Sequence, residues 1–368
     1  METTEVISEE AVLKALGTVQ EPELGGDLVS RNMIRDLKVA GSKVSFTVVL
    51  TTPACPLKNV IEKNCRDAIN SMVAGVSEIK LAWDSDVTIA RRGAPGGTQG
   101  GQAQALLPGV KNIIAVSSGK GGVGKSTVSV NMAVALAQEG ARVGLLDADI
   151  YGPNIPMMMG ITDRPKMVGE DKIAPLESHG VKLMSIGSLV PPGSSMTWRG
   201  PMVHGALQQL MRDVVWGDLD YFIVDMPPGT GDAQLTMTQS VQLSGAVIVT
   251  TPQDVALGDA VRGLAMFQQM HVPILGMIEN MSYFVCPHCG IRTEIFDHGN
   301  AEREAKRRNL NFLGEVPLDT AVRIGGDTGV PIVVSDPESP VAQALKSAAR
   351  NVAARISVLA NRKLPVIK

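Results

Sequence analysis

Aromatic residues are scarce: 3 Trp, 3 Tyr and 6 Phe among 368 residues, or 3%. The base-stacking platforms of single-strand nucleic-acid binders need more than this, in clusters. A dominant charge is also missing. The chain has 34 Lys and Arg against 37 Asp and Glu, with a net charge of −3 and a pI of about 6.0. That balance argues against a broad footprint on a phosphate backbone, so no nucleic-acid partner is expected. No apolar run approaches the ~18 residues that span a bilayer. The stretch Met1–Glu10 is acidic and lacks an apolar signal core, so no membrane partner is expected either. Four cysteines are too few for a disulfide framework. These absences point to a soluble cytoplasmic protein whose cysteines are free, catalytic or metal-binding.

What is present is core material and glycine: 44% hydrophobic residues, 19% charged residues and 38 glycines. At about 100–200 residues per domain, the length implies two domains. The composition breaks at Gly93–Gly101, a glycine-rich stretch without apolar period. This divides a small domain (1–92), a linker (93–107) and a larger domain (108–368). The small domain reads as α+β. Ser8 caps a helix that runs to Leu16 and stops at Gly17. Leu37–Val39 and Val44–Leu50 form a hairpin around Gly41-Ser42. A helix follows with Leu57, Val60, Ile61, Cys65, Ala68, Ile69 and Met72 on its apolar face. A last strand pair is expected at Ile79–Trp83 and Val87–Ile89.

The larger domain alternates short apolar strands with helical patterns. The strands are Ile113–Val116, Val143–Leu146, Leu183–Ile186, Tyr221–Val224, Ala246–Thr250, Ile274–Ile278 and Phe312–Val316. This order predicts an α/β fold with a mostly parallel sheet flanked by helices, and a ligand beyond the carboxyl ends of the strands. Val341, Leu345, Val352, Ile356 and Leu359 mark a last docked helix, and Pro365 breaks the tail.

Gly119-Lys120-Gly121-Gly122-Val123-Gly124-Lys125-Ser126-Thr127 fits the phosphate-loop pattern completely, between a strand and a helix start. Glycines at these positions let backbone N–H groups turn toward phosphate oxygens, and the helix N-terminus adds its positive dipole end. Lys125 is expected to neutralise the β- and γ-phosphates, and Ser126 to ligate Mg²⁺. Two strands then run into acidic loops: Val143–Leu146 into Asp147-Ala148-Asp149, and Tyr221–Val224 into Asp225 and the loop through Gly229 to Asp232. A single strand-end aspartate is ordinarily a helix N-cap. Carboxylates at several strand ends beside a phosphate loop instead suit holding Mg²⁺ waters or positioning an attacking water. The roles of Asp147 and Asp232 stay open between these readings.

Cys286-Pro287-His288-Cys289-Gly290 follows the strand Ile274–Ile278. A C-x-x-C pair suits redox chemistry, zinc or an iron–sulfur cluster. Two thiolates cannot complete a tetrahedral metal site alone. A homodimer supplies four, and an intrachain zinc site using His288 or His298 is the alternative. Cys55 is separate. Pro56 fits the first helical position, which makes Cys55 the N-cap residue, with the helix dipole and Lys58 favouring a reactive thiolate. Cys65 reads as core.

The pattern G-K-G-G-x-G-K-[ST] resembles the deviant Walker A loop of the MinD/ParA/nitrogenase-iron-protein class. With Asp149-Ile150-Tyr151-Gly152-Pro153, Trp198-Arg199-Gly200-Pro201-Met202, Asp225 to Asp232, Glu279-Asn280-Met281-Ser282 and Cys286-Pro287-His288-Cys289, the chain resembles the Mrp/ApbC family of ATP-dependent iron–sulfur cluster carriers. The first 90 residues are similar to the PaaD/SufT-like iron–sulfur assembly domain, with Thr51 to Pro56 as the shared signature. The resemblance implies ATP, Mg²⁺ and a [4Fe–4S] cluster, bridged between two copies by Cys286 and Cys289. It implies that Lys120 reaches the phosphates across a homodimer. Asp149 would orient the attacking water, Asp225 would be the Walker B aspartate, Gly229 would sense the γ-phosphate and Asn280 would recognise the base. Apo iron–sulfur proteins and cluster-assembly scaffolds are the implied partners, and hydrolysis is expected to be slow and regulatory. A zinc-stabilised nucleotide-dependent scaffold or positioning ATPase is the competing expectation.

Overall fold

The computed structural model describes residues 7–87, 89, 106–150, 152–189, 200–229 and 231–361. The side chains of 200, 201, 232, 233 and 236 are outside that description, as are Tyr151, Trp198, Arg199 and Thr230 of the sequence motifs. Most of the glycine-rich stretch, 93–105, also lies outside it. The chain divides into two compact units, one made of residues 1–88 and 353–368 and the other of 89–352.

In the first unit, the helix Glu9–Leu16 starts where expected, with the Ser8 hydroxyl accepting the Ala11 N–H at 3.1 Å. Strands β1 (Ile34–Ala40) and β2 (Lys43–Leu50) pair antiparallel across a turn in which Gly41 has φ +62°. After the helix Lys58–Met72, β3 (Glu78–Ser85) returns parallel to β2, from Lys43↔Glu78 to Leu50↔Ser85. The expected strand pair is therefore a single strand: Val87 and Ile89 belong to no strand. Apolar residues spaced four apart on the helix explain the packing. Ile61, Cys65 and Ile69 are fully buried with Val44, Phe46 and Val48. Cys65 is thus core, and burial pushes its thiol up to about 12.

The second unit holds β4 (Val110–Ser118), β5 (Val143–Asp147), a β6–β7 hairpin (Met167–Val168, Lys172–Ile173), β8 (Leu176–Ser178), β9 (Val181–Ser185), β10 (Leu219–Asp225), β11 (Gly245–Thr250), β12 (Ile274–Val285), β13 (Arg292–Thr293) and β14 (Phe312–Leu318). The main sheet runs β13-β12-β11-β4-β10-β5-β9-β8, with β14 also on β12. Only β8 and β13 are antiparallel to their neighbours. The fold is the expected P-loop α/β architecture, preceded by a small domain. All seven expected strands are present within a few residues, and β9 ends at Ser185 because Ile186 opens a 3-10 turn. Leu107, at the end of the expected linker, is instead buried in the large core beside Val110. The helix Lys125–Gln138 is apolar nearly all round, and it is correspondingly buried from Val128 to Leu136.

Candidate nucleotide site and cysteine turn

The phosphate loop joins β4 to the helix that begins at Lys125. Two of its glycines are dictated by contacts. A Cβ at Gly119 would lie 2.0 Å from the Asp259 carbonyl carbon. Gly124 has φ +80°, and its Cβ would meet the Asn280 amide nitrogen at 2.1 Å. Asn280 is buried and donates to the Val123 carbonyl at 2.8 Å, so β12 braces the loop directly. A cavity of about 410 Å³ opens beside the loop, bounded by Gly124, Thr127, Asn154, Asn280, Pro317 and Asp319 among others.

Strand register sets the electrostatics. Asp225 ends β10 opposite Val116 of β4 and Asp147 of β5. Its buried carboxylate accepts from Lys125 Nζ, Ser126 Oγ and Ser129 Oγ, each at 2.6 Å. Lys125 Nζ also lies 3.2 Å from Ser126 Oγ. Lys125, Ser126 and Asp225 therefore converge as one group, with Ser129 as a member that motif reading missed. Its only sequence signal is its place one helical turn after Lys125.

Asp147 is buried too. It accepts from the N–H groups of Asp149 at 3.1 Å and Ile155 at 3.4 Å, and from the Ser185 hydroxyl at 3.0 Å. It thus organises the loop that carries Asp149. Burial, with Asp225 close by, pushes its carboxyl up to about 7. Asp149 is half-buried and accepts the Gly152 N–H at 3.2 Å. Gly229 has φ +92° and donates its N–H to the last carbonyl of β4, Ser118, at 3.1 Å. Lys120 is half-exposed, and its carbonyl accepts the Ser118 hydroxyl at 3.0 Å. Gly121 and Gly122 are exposed at the loop tip. Asp232 has a backbone position at the start of the helix Asp232–Ser240.

The cysteine pair sits at the far end of β12. That strand extends past the expected Ile278 to Val285, bending at Met281, which has φ +55°. Cys286 N–H donates to Ile291 O at 3.0 Å and Gly290 N–H to Cys286 O at 2.8 Å, closing a tight turn. Cys289 is exposed and Cys286 half-exposed. The backbone N–H groups of Cys289 and then His288 hold the Cys286 thiol below its ordinary range. Among the described residues, the one group of three or more His, Cys, Asp or Glu with metal-binding spacing is Glu279, His298 and Glu315; it contains neither cysteine. His298 faces Glu315 at 2.5 Å, so the expected alternative of an intrachain zinc site with His288 or His298 is not assembled.

Cys55 departs from expectation. The helix begins at Lys58 and Leu57 takes the N-cap position, so Cys55 lies outside the helix. Lys58 Nζ sits over the Trp83 ring at 5.1 Å, and its charge favours the Cys55 thiolate only as the weakest of the influences on that sulfur. The Leu57 N–H reaches the thiol, but burial outweighs it, and Glu23 and Glu21 add to the effect. The thiol is pushed up to about 11. Cys55 is thus a half-buried thiol outside the helix, and the expected N-cap position belongs to Leu57.

The phosphate loop between β4 and the helix Lys125–Gln138, in a mostly parallel sheet, defines a P-loop NTPase. Residues 109–353 match the family described as ParA, NUBPL iron-transfer P-loop NTPase, and residues 9–81 match the iron–sulfur cluster assembly protein family. The chain is 52% identical over 360 residues to the iron–sulfur cluster carrier protein of Synechocystis sp., covering 96% of this chain and 99% of that one. It is 49% identical over 357 residues to the iron–sulfur cluster carrier protein of Deinococcus radiodurans, covering 97% and 98%. A solved nucleotide-binding protein from Archaeoglobus fulgidus, in complex with ADP, is similar at 38% identity with a TM-score of 0.56, covering 63% of this chain and 92% of that one. The chain belongs to the iron–sulfur cluster carrier family of P-loop NTPases. No described helix is long and apolar enough to cross a membrane.

Proposed function

We propose that this protein is an ATP-dependent carrier that holds a [4Fe–4S] cluster between two copies of the chain and passes it to apo-proteins in the cytoplasm. The observation that carries this reading is the cysteine turn. It presents two thiols at the surface, one of them favoured as thiolate, with no third ligand grouped around them among the described residues. A four-thiolate site therefore needs a second copy. Val285, Ile291 and Ile295 are exposed around the turn, at 45%, 63% and 50%, and give that copy an apolar surface to cover.

On this reading, Lys125 and the Gly119–Thr127 backbone hold the phosphates, and Lys120 completes the site across the dimer. Asp149, fixed by Asp147, orients the attacking water. Ser126 and Asp225, whose oxygens lie 2.6 Å apart, are the donors suited to Mg²⁺, which would neutralise phosphate charge. Gly229 senses the γ-phosphate, and Asn280, which borders the cavity beside the loop, recognises the base. Slow hydrolysis then shifts the loops after Asp149 and Asp225 and biases the cluster bridge. Residues 1–92 act as an assembly domain joined to the ATPase, 108–368, by the glycine-rich stretch.

Anaerobic reconstitution with iron and sulfide tests the reading. A [4Fe–4S] absorption band that is lost in Cys286→Ala is expected. Lys125→Ala should keep the band yet fail to transfer the cluster to an apo acceptor. Zinc at one ion per chain without cluster absorption would contradict the carrier function, and normal transfer by Lys125→Ala would contradict the ATP dependence.

A further inference from the structure

On β12, seven residues before Cys286, lies a carboxylate with no solvent exposure, Glu279. Among the described residues it pairs with no lysine or arginine. Its oxygens accept the N–H groups of Gly299 at 2.9 Å and Ala301 at 2.8 Å, and the Ser282 hydroxyl at 2.6 Å. Those N–H groups belong to the N-terminus of the helix Asn300–Arg307, whose dipole and donors hold the carboxylate in place without a fixed countercharge. Facing it are His298 and Glu315, and the ligand atoms of all three lie within 4.8 Å of one another. The Ser282 oxygen also lies 3.3 Å from Glu315, although its one proton is committed to Glu279 at the shorter distance. Two permanent cations border the group: Arg292, 3.8 Å from the other Glu315 oxygen and stacked at 3.8 Å over the Tyr283 ring, and Arg303, which donates to the His298 carbonyl at 3.3 Å. Glu294 adds a third carboxylate, 3.8 Å from His298 Nδ1.

We propose that Glu279, His298 and Glu315 form a binding site for a divalent first-row transition ion of the iron(II)/manganese(II) class. Two carboxylates and one imidazole are the donor set that such ions take, with positions left for water. The excess of carboxylate over fixed positive charge is what a divalent ion cancels. The outer shell is in place before any ion arrives. Backbone N–H groups and the Ser282 hydroxyl orient Glu279, and Arg292 holds the second oxygen of Glu315. The ligands come from β12, the segment before the helix Asn300–Arg307, and β14, so the site exists only in the folded chain. It is separate from the thiolates and stands whether or not the carrier reading holds.

The test uses the nucleotide-free full chain carrying Cys286→Ser and Cys289→Ser, titrated with Mn²⁺ and followed by electron paramagnetic resonance. One Mn²⁺ per chain is expected, with a directly coordinated nitrogen in the pulsed spectrum. Adding His298→Ala should remove the nitrogen coupling. Either His298→Ala or Glu315→Gln should weaken binding about tenfold or more. The side chains of His298 and Glu315 are 29% and 33% exposed, positions at which folding tolerates change. No saturable binding, bound Mn²⁺ without nitrogen coupling, or an affinity unchanged in both variants would overturn the site.

Discussion

Two cysteines in this chain are each followed by proline, Cys55-Pro56 and Cys286-Pro287, and the fold treats them in opposite ways. Cys286 sits in a surface turn where backbone N–H groups converge on its sulfur and hold the thiol down. Cys55 has an N–H of its own, from Leu57, but it packs partly against the small domain's core beside Glu23 and Glu21, and its thiol rises to about 11. Local sequence predicts a reactive thiolate at Cys55 and a metal or redox pair at Cys286. The difference is burial and long-range charge, which a dipeptide does not encode.

The largest contrast is in cluster content. Cys286→Ala should abolish the reconstituted cluster, whereas Cys55→Ala should leave iron and sulfide per chain unchanged; equal losses would erase the distinction. Next comes thiol chemistry. A thiol with a pKa of about 11 is about 0.1% ionised at pH 8. Cys286 should therefore alkylate about a hundredfold faster than Cys55 in the cluster-free folded chain. Mass-spectrometric time courses read this, and the ratio should collapse in denaturant. Lowering the pH should slow Cys286 less than an ordinary thiol, because its titration lies lower.

Smaller changes probe what protects Cys55. Ile61 is fully buried in the cluster against which Cys55 packs. Ile61→Ala should cost about 2–5 kcal/mol of stability in the small domain. It should speed Cys55 alkylation roughly tenfold through opening of that unit, with Cys286 unaffected. Glu23→Gln is the mildest test. Removing a negative charge beside the sulfur favours the thiolate, so Cys55 alkylation should rise about two- to threefold at pH 8. A fall in rate would mean that the acidic neighbours do not raise the thiol.

What was legible in the sequence was what is contiguous. The phosphate loop, each of the two acidic strand-end loops and the cysteine turn are short contiguous stretches, and strand periodicity places them at one end of one sheet. What escaped depends on contacts across the chain. Ser129 joins Asp225 only through helix and sheet register. Asp147 gains its role from Ser185 and Ile155. The Glu279–His298–Glu315 group spans three elements. Val87 and Ile89 have strand-like side chains, yet neither belongs to a strand, and Val87 is buried without one. The left-handed bend at Met281, which carries β12 from the phosphate loop to the cysteine turn, has no glycine to announce it.

The central claim is that the cysteine turn is half of a site. Native mass spectrometry of the anaerobically reconstituted protein tests it most directly. The account predicts a species of two chains plus one [4Fe–4S] cluster, about two iron atoms per chain, that reverts to single chains when Cys289 is replaced by alanine. A single chain that retains a complete cluster, or a dimer whose cluster survives Cys289→Ala, would contradict it.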